Sequence, residues 1–305
     1  DDNFTGILVV DRDGVVRAAS RVAGEILRRP RETLVDTTAE DVLPRDLRVA
    51  VATMLATVVE PDRPETRTGE TVVSTGEGPR TLEYVATVSR LSSAGAEGPA
   101  DANSVAVCLT FRDVTEERVA ARRIDFLAHF DALTGLPNRH RFMADLGTAV
   151  SSQNAGPGRA VLIADLDRFG WVNDALGQSA GDEVLREVAR RIAEVIGEAG
   201  TPARLGGDEF AALLSCGGDD ALRGLAGRLA AALAEPLDLT QVRGPMAISL
   251  GLAPLMPGDT AGSALRRAHL ALARAKSEGG ARFHVYDDEL ERATAERREI
   301  EQDLW

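Results

Sequence analysis

The sequence is poor in cysteine, aromatic residues and lysine, and it has no long apolar run. Two cysteines in 305 residues cannot build a disulfide framework, so we expect a reducing compartment, the cytoplasm. No stretch of about 18 uncharged apolar residues is present, and a transmembrane helix is therefore not expected. The chain opens without a start methionine or a signal-peptide pattern, which leads us to expect a fragment of a longer protein.

Positive charge is also scarce. The 35 Lys and Arg residues face 48 Asp and Glu residues, giving a formal net charge of −13. Such a charge argues against nonspecific binding to nucleic acid or to an anionic membrane surface. Lysine occurs once, at Lys276, among many arginines. Because the two residues are not interchangeable where a compact point charge is needed, Lys276 is a candidate functional residue.

Residues 1–114 predict a small α+β domain. Two runs rich in β-branched residues, Gly6–Val10 and Val15–Ala19, flank a turn over 11–14 and predict a hairpin. A loop rich in Ser, Gly, Ala, Pro and Glu over 92–103 joins the last two predicted strands. The remaining predicted elements are helices Arg21–Arg28 and Arg45–Val59 and strands Glu70–Ser74, Arg80–Leu91 and Ser104–Phe111.

This order of elements, with the opening Gly6–Gly14 and the exit Phe111–Glu116, resembles a PAS domain, a generic α+β domain being the alternative. The four histidines lie beyond it, so a histidine-ligated haem is not expected there. Cys108 falls outside the position that a flavin-adduct photosensor uses. The PAS ligand stays unknown, and a pure dimerisation role without cofactor is open.

Residues 115–129 predict a helix that links two domains. Val119, Ile124 and Leu127 are spaced as in a short coiled-coil seam, which favours a homodimer formed through the PAS domain and this helix. The alternative is a monomeric helix packed on its own domain.

Residues 130–288 predict an α/β domain with a central sheet covered by helices. The predicted helices are Arg139–Val150, Gly181–Glu198, Ala221–Glu235 and Ala261–Ser277, and the strands are Ala160–Asp165, Ala203–Leu205, Phe210–Ser215, Met246–Ala253 and Arg282–Tyr286.

Acidic residues end one strand and form the tip of the hairpin between two others. Asp165 and Asp167 close the first, and Asp208 and Glu209 occupy the tip. Two such clusters repel each other unless a divalent cation lies between them. Mg²⁺ binds through a few carboxylates and substrate phosphates, which suits nucleotidyl transfer. Alone, a Gly-Gly-Asp tip is an ordinary turn.

The run Arg204–Phe210 contains the signature GGDEF and resembles the diguanylate cyclase family. With this signature, four motifs of the family occur in order over residues 125–287, the others being the opening Asp131–Arg139, the nucleotide-binding stretch of Asp165–Phe169, Asn173-Asp174, Gly177 and Gly181-Asp182, and the late-helix pair Ala275-Lys276. The resemblance implies a fold like nucleotidyl cyclases and polymerase palms. It also implies condensation of two GTP to cyclic di-GMP and two pyrophosphates, with two domains facing each other.

The resemblance implies roles residue by residue. Asp165, Asp208 and the Leu166 carbonyl would hold Mg²⁺ or Mn²⁺, and Glu209 would assist deprotonation of the ribose 3′-hydroxyl or stand behind a metal ligand. For the substrate, the resemblance implies that Asn173 and Asp182 bind guanine and that Phe169, Gly170 and Lys276 bind phosphate. Gly206 and Gly207 would let the backbone approach the ligand closely, and Leu136 and Leu185 would pack against the base or simply in the core. Arg204 would hold an acid or a phosphate, or form a structural salt bridge.

Three positions depart from the family pattern: Gly170 replaces a lysine, Gln178 a histidine and Gly280 an arginine. Product inhibition is expected to be weak, because Gly197 and Gly200 replace the Arg and Asp that grip cyclic di-GMP. We expect a working but slow cyclase. The alternatives are a GTP-binding module that regulates an attached EAL phosphodiesterase and a purely structural dimeriser.

The segment 289–305 predicts a charged terminal helix. Helices of this kind often lead from a GGDEF domain into an EAL domain, so we expect that such a domain follows in the full protein. A fraying terminal helix is the alternative.

Overall fold

The computed structural model describes residues 5–56, 66–75, 78–90, 105–151, 158–240, 242–287, 290 and 292. The chain divides into two compact units, Asp1–Arg123 and Ile124–Trp305. Each unit has its own five-stranded sheet, and the predicted fold class, an antiparallel α+β domain followed by a central sheet with flanking helices, is confirmed. Among the described residues, no helix combines the length and apolar character needed to cross a bilayer.

In its described residues, the first unit is an antiparallel sheet in the order β2-β1-β5-β4-β3 with four helices. Its strands are β1 (Thr5–Asp11), β2 (Val16–Ala19), β3 (Thr66–Thr75), β4 (Gly78–Arg90) and β5 (Val105–Asp113), and its helices are α1 (Arg21–Leu27), α2 (Arg31–Leu34), α3 (Ala39–Val42) and α4 (Arg45–Ala56). Alternate residues of β1 are buried, as expected of a strand with one covered face. The predicted loop over 92–103 and the predicted end of α4 after residue 56 lie outside the described residues.

Helix α5 (Thr115–His129) has the bounds that its periodicity predicts. Asp113 accepts hydrogen bonds from the Thr115 amide at 3.0 Å and from its hydroxyl, which stabilises the helix start. No residue of α5 is buried, and its apolar side chains Val119 and Ile124 are 60% and 70% exposed. Among the described residues, these side chains therefore form an exposed apolar seam along α5.

The second unit is a mixed sheet in the order β12-β11-β6-β8-β7, in which only β11 and β12 are parallel. Its strands are β6 (Arg159–Leu166), β7 (Gly200–Gly206), β8 (Glu209–Ser215), β11 (Ile248–Pro254) and β12 (Phe283–Val285), with a small separate hairpin of β9 (Leu237–Asp238) and β10 (Arg243–Gly244). Its helices after α5 are α6 (Arg139–Ser151), α7 (Phe169–Leu176), α8 (Gln178–Ile196), α9 (Asp219–Ala234) and α10 (Ala261–Ser277).

Strand β6 is the central strand and is covered on both faces. Leu162 and Leu166 join the core formed with α7, α8 and α9, whereas Val161 and Ile163 join the core formed with α6 and α10. Side chains alternate along a strand, so Asp165 belongs to the α10 face. The predicted charged helix over 289–305 lies almost entirely outside the described residues.

Candidate active site

The acidic residues converge at the carboxyl end of β6. Asp165 lies directly opposite Glu209 of β8, and the Leu166 amide donates to the Asp208 carbonyl at 3.4 Å. The predicted metal-binding residues Asp165, Leu166 and Asp208 are therefore brought to one place by the β6–β8 pairing. Like charges directly opposite each other destabilise a sheet, so this arrangement needs positive charge nearby.

Lys276 supplies part of that charge from the last turn of α10. Its Nζ donates to Oδ1 of Asp165. Burial raises the pKa of Asp165; the Lys276 ion pair opposes this shift, and the neighbouring carboxylates Asp208 and Asp167 add to it. The net shift is upward, which indicates that one lysine does not fully offset the burial and the surrounding negative charge.

The donor set fits a magnesium ion. Asp165, Asp208 and the Leu166 carbonyl offer hard oxygen donors. No group of three or more His, Cys, Asp or Glu side chains is placed to hold a metal within the described part of the chain. Mg²⁺ commonly takes one or two protein carboxylates and completes its shell with water and substrate phosphates.

Glu209 has a partner that sequence reasoning missed. His269 of α10 places Nε2 at 2.6 Å from Oε1 of Glu209, and the guanidinium of Arg139 lies 4.0 Å from Oε2. The hydrogen bond from His269 is the main reason that the pKa of Glu209 is lowered although burial opposes the shift. No spacing motif marks His269, because the contact joins residues that lie 60 positions apart.

The hairpin tip is fixed by Arg204. Its guanidinium donates to the Gly207 carbonyl at 2.7 and 3.1 Å and to the two carboxylate oxygens of Asp131 at 3.0 and 3.2 Å. Thr134 also donates to Asp131, and these bonds together lower the pKa of Asp131 against the opposing effect of its burial. Gly206 and Gly207 have φ values of +138° and +54°, which favour glycine at the tip.

Asp167, which the sequence analysis placed in the acidic cluster, makes contacts that were not predicted. Both of its carboxylate oxygens accept from the Ser249 hydroxyl at 2.9 Å, and Oδ2 also accepts from the Ala281 amide at 3.0 Å. The carboxylate thus ties the end of β6 to β11 and to the segment that follows α10. Gly280 lies against it, with φ of +75°.

The predicted guanine and phosphate residues lie on α7 and α8. Phe169 and Gly170 are the first two residues of α7, where backbone N–H groups have no partner within the helix and can bind an anion. A Cβ at Gly181 would overlap the Asn173 side-chain oxygen, so the two helices approach closely here. Asp182 follows Gly181 on α8 and is half-buried.

Leu185 is 3% exposed and Leu136 is partly buried against the same core. Both leucines therefore pack in the core next to the α7–α8 pair. The predicted site residues form two groups around the end of β6: the acids and Lys276 on the α10 face, and the α7–α8 residues on the other.

Comparison with known proteins gives family models for both units. A diguanylate cyclase GGDEF-domain model matches residues 128–282, and a PAS-fold model matches residues 5–119. Diguanylate cyclase TpbB of Pseudomonas aeruginosa is 38% identical over 57% of this chain and 41% of its own length. Cyclic di-GMP phosphodiesterase PdeR of Escherichia coli is 34% identical over 62% of this chain and 28% of its own. The match thus spans well under half of either relative.

Among solved structures, the isolated GGDEF domain of TpbB superposes with a TM-score of 0.51 at 34% identity, covering 55% of this chain and 99% of that one. The GGDEF model alone covers just over half of the chain, and it contains the acids described above and every strand of their sheet except β12. The chain therefore belongs to the diguanylate cyclase GGDEF-domain family and carries a PAS fold ahead of that domain.

Proposed function

We propose that this chain condenses two GTP molecules to cyclic di-GMP and two pyrophosphates, under control of its PAS unit. The observation that carries the proposal is the convergence of Asp165, Asp208 and the Leu166 backbone beside Lys276. The family model and the cyclase TpbB support the same reaction class. Because GTP is the proposed substrate, we place the reaction in the cytoplasm.

Asp165, Asp208 and the Leu166 carbonyl would hold Mg²⁺ or Mn²⁺ in this reaction. When bound, the ion would neutralise triphosphate charge and polarise the reacting phosphorus. Lys276 bonds to Asp165, and its long flexible side chain would also allow it to contact the triphosphate of a bound nucleotide. Glu209 would then accept the proton of the ribose 3′-hydroxyl.

The α7–α8 pair would bind the nucleoside and phosphates. Asn173 and Asp182 would hydrogen-bond the guanine edge, since a carboxylate accepts from the N1–H and amino group that adenine lacks in that pattern. The N–H groups of Phe169 and Gly170 would bind phosphate at the start of α7. Leu136 and Leu185 would support the base from the core side.

Catalysis would take place between two copies of the chain, each holding one GTP. The exposed apolar seam of α5, formed by Val119, Ile124 and Leu127, supports a homodimer through the PAS unit and this helix. Light scattering tests this proposal. A purely monomeric species at high micromolar concentration would contradict it.

The second candidate function is a GTP-binding module that regulates an attached EAL phosphodiesterase. It is favoured by the loss of side chains at Gly170 and Gly280, which removes two cations from the phosphate site, and by Gln178 at a position where the family carries histidine. The relative PdeR, named a phosphodiesterase, fits such an arrangement. A module of this kind would bind GTP without forming product.

The deciding experiment incubates the purified chain with GTP and Mg²⁺ and detects cyclic di-GMP by chromatography. Asp165→Asn and Asp208→Asn should each lower turnover by about 100-fold or more, as expected when a group that stabilises transition-state charge is removed. Asp220→Asn, at an exposed acid in the first turn of α9, is the matched control and should keep parental turnover. GTP binding without product would favour the regulatory module, and near-normal turnover in the Asp165 or Asp208 variant would refute the metal assignment.

A further inference from the structure

Helix α10 presents two basic side chains to the two facing acids of the sheet. His269 and Lys276 are seven residues apart, close to two helical turns, so both lie on one face of α10. Lys276 bonds to Asp165 of β6 and His269 bonds to Glu209 of β8. Since Asp165 and Glu209 are direct cross-strand partners, the helix offsets the charge of both with one basic group each.

The hydrogen bonds of His269 fix the orientation of its ring. Nδ1 lies 2.9 Å from the Leu265 carbonyl, and Nε2 lies 2.6 Å from Oε1 of Glu209. Both partners are acceptors, so the ring makes both bonds only when both nitrogens carry protons. The bond to Glu209 is the main reason that the pKa of His269 is raised, against the opposing effect of burial. The ring is therefore a charged donor held from behind by the helix backbone.

The two carboxylate oxygens of Glu209 have different surroundings. Oε1 is taken by His269, whereas Oε2 has the Arg139 guanidinium only at 4.0 Å. The Glu209 side chain is 24% exposed, so it lies at the edge of solvent, within reach of a substrate. A carboxylate held by one oxygen in this way presents the other in a fixed direction.

We propose that His269 is a positioning residue for the reaction: by holding Oε1 of Glu209 it aims Oε2 at the ribose 3′-hydroxyl that must lose its proton. The inference rests on the proposed function of Glu209 as proton acceptor. A general base must reach its proton at hydrogen-bond distance, and a misplacement of about 1 Å can cost on the order of 100-fold in rate. The effect is therefore expected in kcat rather than in GTP binding.

The test compares His269→Leu, which removes both donors, with His269→Gln, whose side-chain amide can still donate to Glu209. We expect kcat of the leucine variant to fall roughly 10- to 100-fold with KM for GTP unchanged within about twofold. The glutamine variant should recover most of the loss. Because the His269 side chain is 40% exposed, the melting temperature should change by only a few degrees in either variant.

His284→Leu is the matched control. His284 makes a similar bond, at 2.8 Å, to Glu278 beyond the end of α10, and its loss should leave kcat at the parental value. Parental kcat in His269→Leu would overturn the inference. So would a loss that His284→Leu reproduces, a loss that glutamine does not relieve, or one that follows unfolding.

A readout independent of turnover separates this inference from the proposed function. Nitrogen-15 NMR of the histidine rings in the full chain should show that Glu209→Gln shifts the ring signals of His269 and leaves those of His284 in place. A parent that forms no cyclic di-GMP refutes the proposed function alone. Unchanged His269 signals in Glu209→Gln refute the contact on which the inference depends.

Discussion

Gly170 and Gly280 occupy the two positions where the resemblance to the family implies phosphate-binding cations, and the structure predicts opposite results when a cation is introduced at each. An added Cβ at Gly170 meets no heavy atom within 4 Å, and the residue is exposed in the first turn of α7. At Gly280, φ is +75° and an added Cβ would lie 2.8 Å from Oδ2 of Asp167. Gly170→Lys should therefore be tolerated, whereas Gly280→Arg should strain the backbone and displace a carboxylate.

The free energies of unfolding follow from these surroundings. Replacing a helical glycine by lysine gains up to about 1 kcal/mol, because lysine has a much higher helix propensity. A non-glycine residue in the left-handed region costs about 1–2 kcal/mol. Displacing Asp167 disturbs its hydrogen bonds from Ser249 and Ala281, at about 1 kcal/mol each. With about 2–4 °C per kcal/mol for a domain of this size, Gly280→Arg should lower the melting temperature by roughly 5–15 °C.

The assay combines thermal unfolding with steady-state formation of cyclic di-GMP. Gly170→Lys should raise kcat/KM about tenfold or more, the value of a charge-assisted hydrogen bond, with an unchanged or slightly higher melting temperature. Gly170→Ala separates helix propensity from charge and should leave kcat/KM unchanged; Gly280→Ala separates backbone strain from side-chain size and should already destabilise. A fully stable Gly280→Arg, or a destabilised Gly170→Lys, would refute the reasoning.

Three further predictions concern other parts of the second unit. Lys276→Ala should lower kcat/KM roughly 30- to 150-fold, which corresponds to about 2–3 kcal/mol of lost transition-state stabilisation. Arg274→Ala, on the same turn of α10, should keep the parental value. Equal losses in the two variants would contradict the role of the lysine. The hydrogen bond from Arg190 is the main reason that the pKa of Glu187 is lowered to about 2 from about 4.5. Glu187→Gln should therefore destabilise the protein at neutral pH, and the difference in the free energy of unfolding from the parent, measured in urea, should vanish as pH falls from 4.5 towards 2. A difference that persists at about pH 2 would refute the ion pair. Cyclic di-GMP should not inhibit the enzyme at submicromolar concentration in a turnover assay, and Gly200→Asp should fail to install inhibition, because a Cβ there would overlap a backbone carbonyl of β8.

Local sequence patterns predicted most of the fold because they reflect forces that act within a segment. The apolar run that ends at Asp165 corresponds to the doubly covered strand β6, and the 3.6-residue periodicity of Thr115–His129 corresponds to α5 with the same bounds. Helix α7 was not predicted, because eight residues that include Gly170 and end before Gly177 carry too little periodicity. Contacts with α8 stabilise this helix, and such tertiary contacts leave no local pattern.

The candidate site also has a part that the sequence predicted and a part that it did not. Motif spacing predicted Asp165, Asp208 and Lys276, and the structure brings these three to one end of β6. The sequence did not predict the contact of His269 with Glu209, 60 positions away, or the contacts of Asp167 with Ser249 and Ala281, 82 and 114 positions away. Such pairs depend on how α10 crosses the sheet and on the path of the chain after it, which a single sequence does not encode locally.

The glycines at positions where the family resemblance implies charged residues differ in whether the surrounding structure has room for a side chain. Gly280 adopts a left-handed conformation against Asp167, and Gly200 lies so close to the backbone of β8 that a Cβ has no room there. Substitution at either position now carries a cost in stability that does not depend on ligand. Gly170 carries no such constraint, since its surroundings are open and its backbone is helical. A cation can therefore be restored at position 170 but not at position 280 without a loss of stability, and we expect the proposed nucleotide chemistry to depend on Lys276.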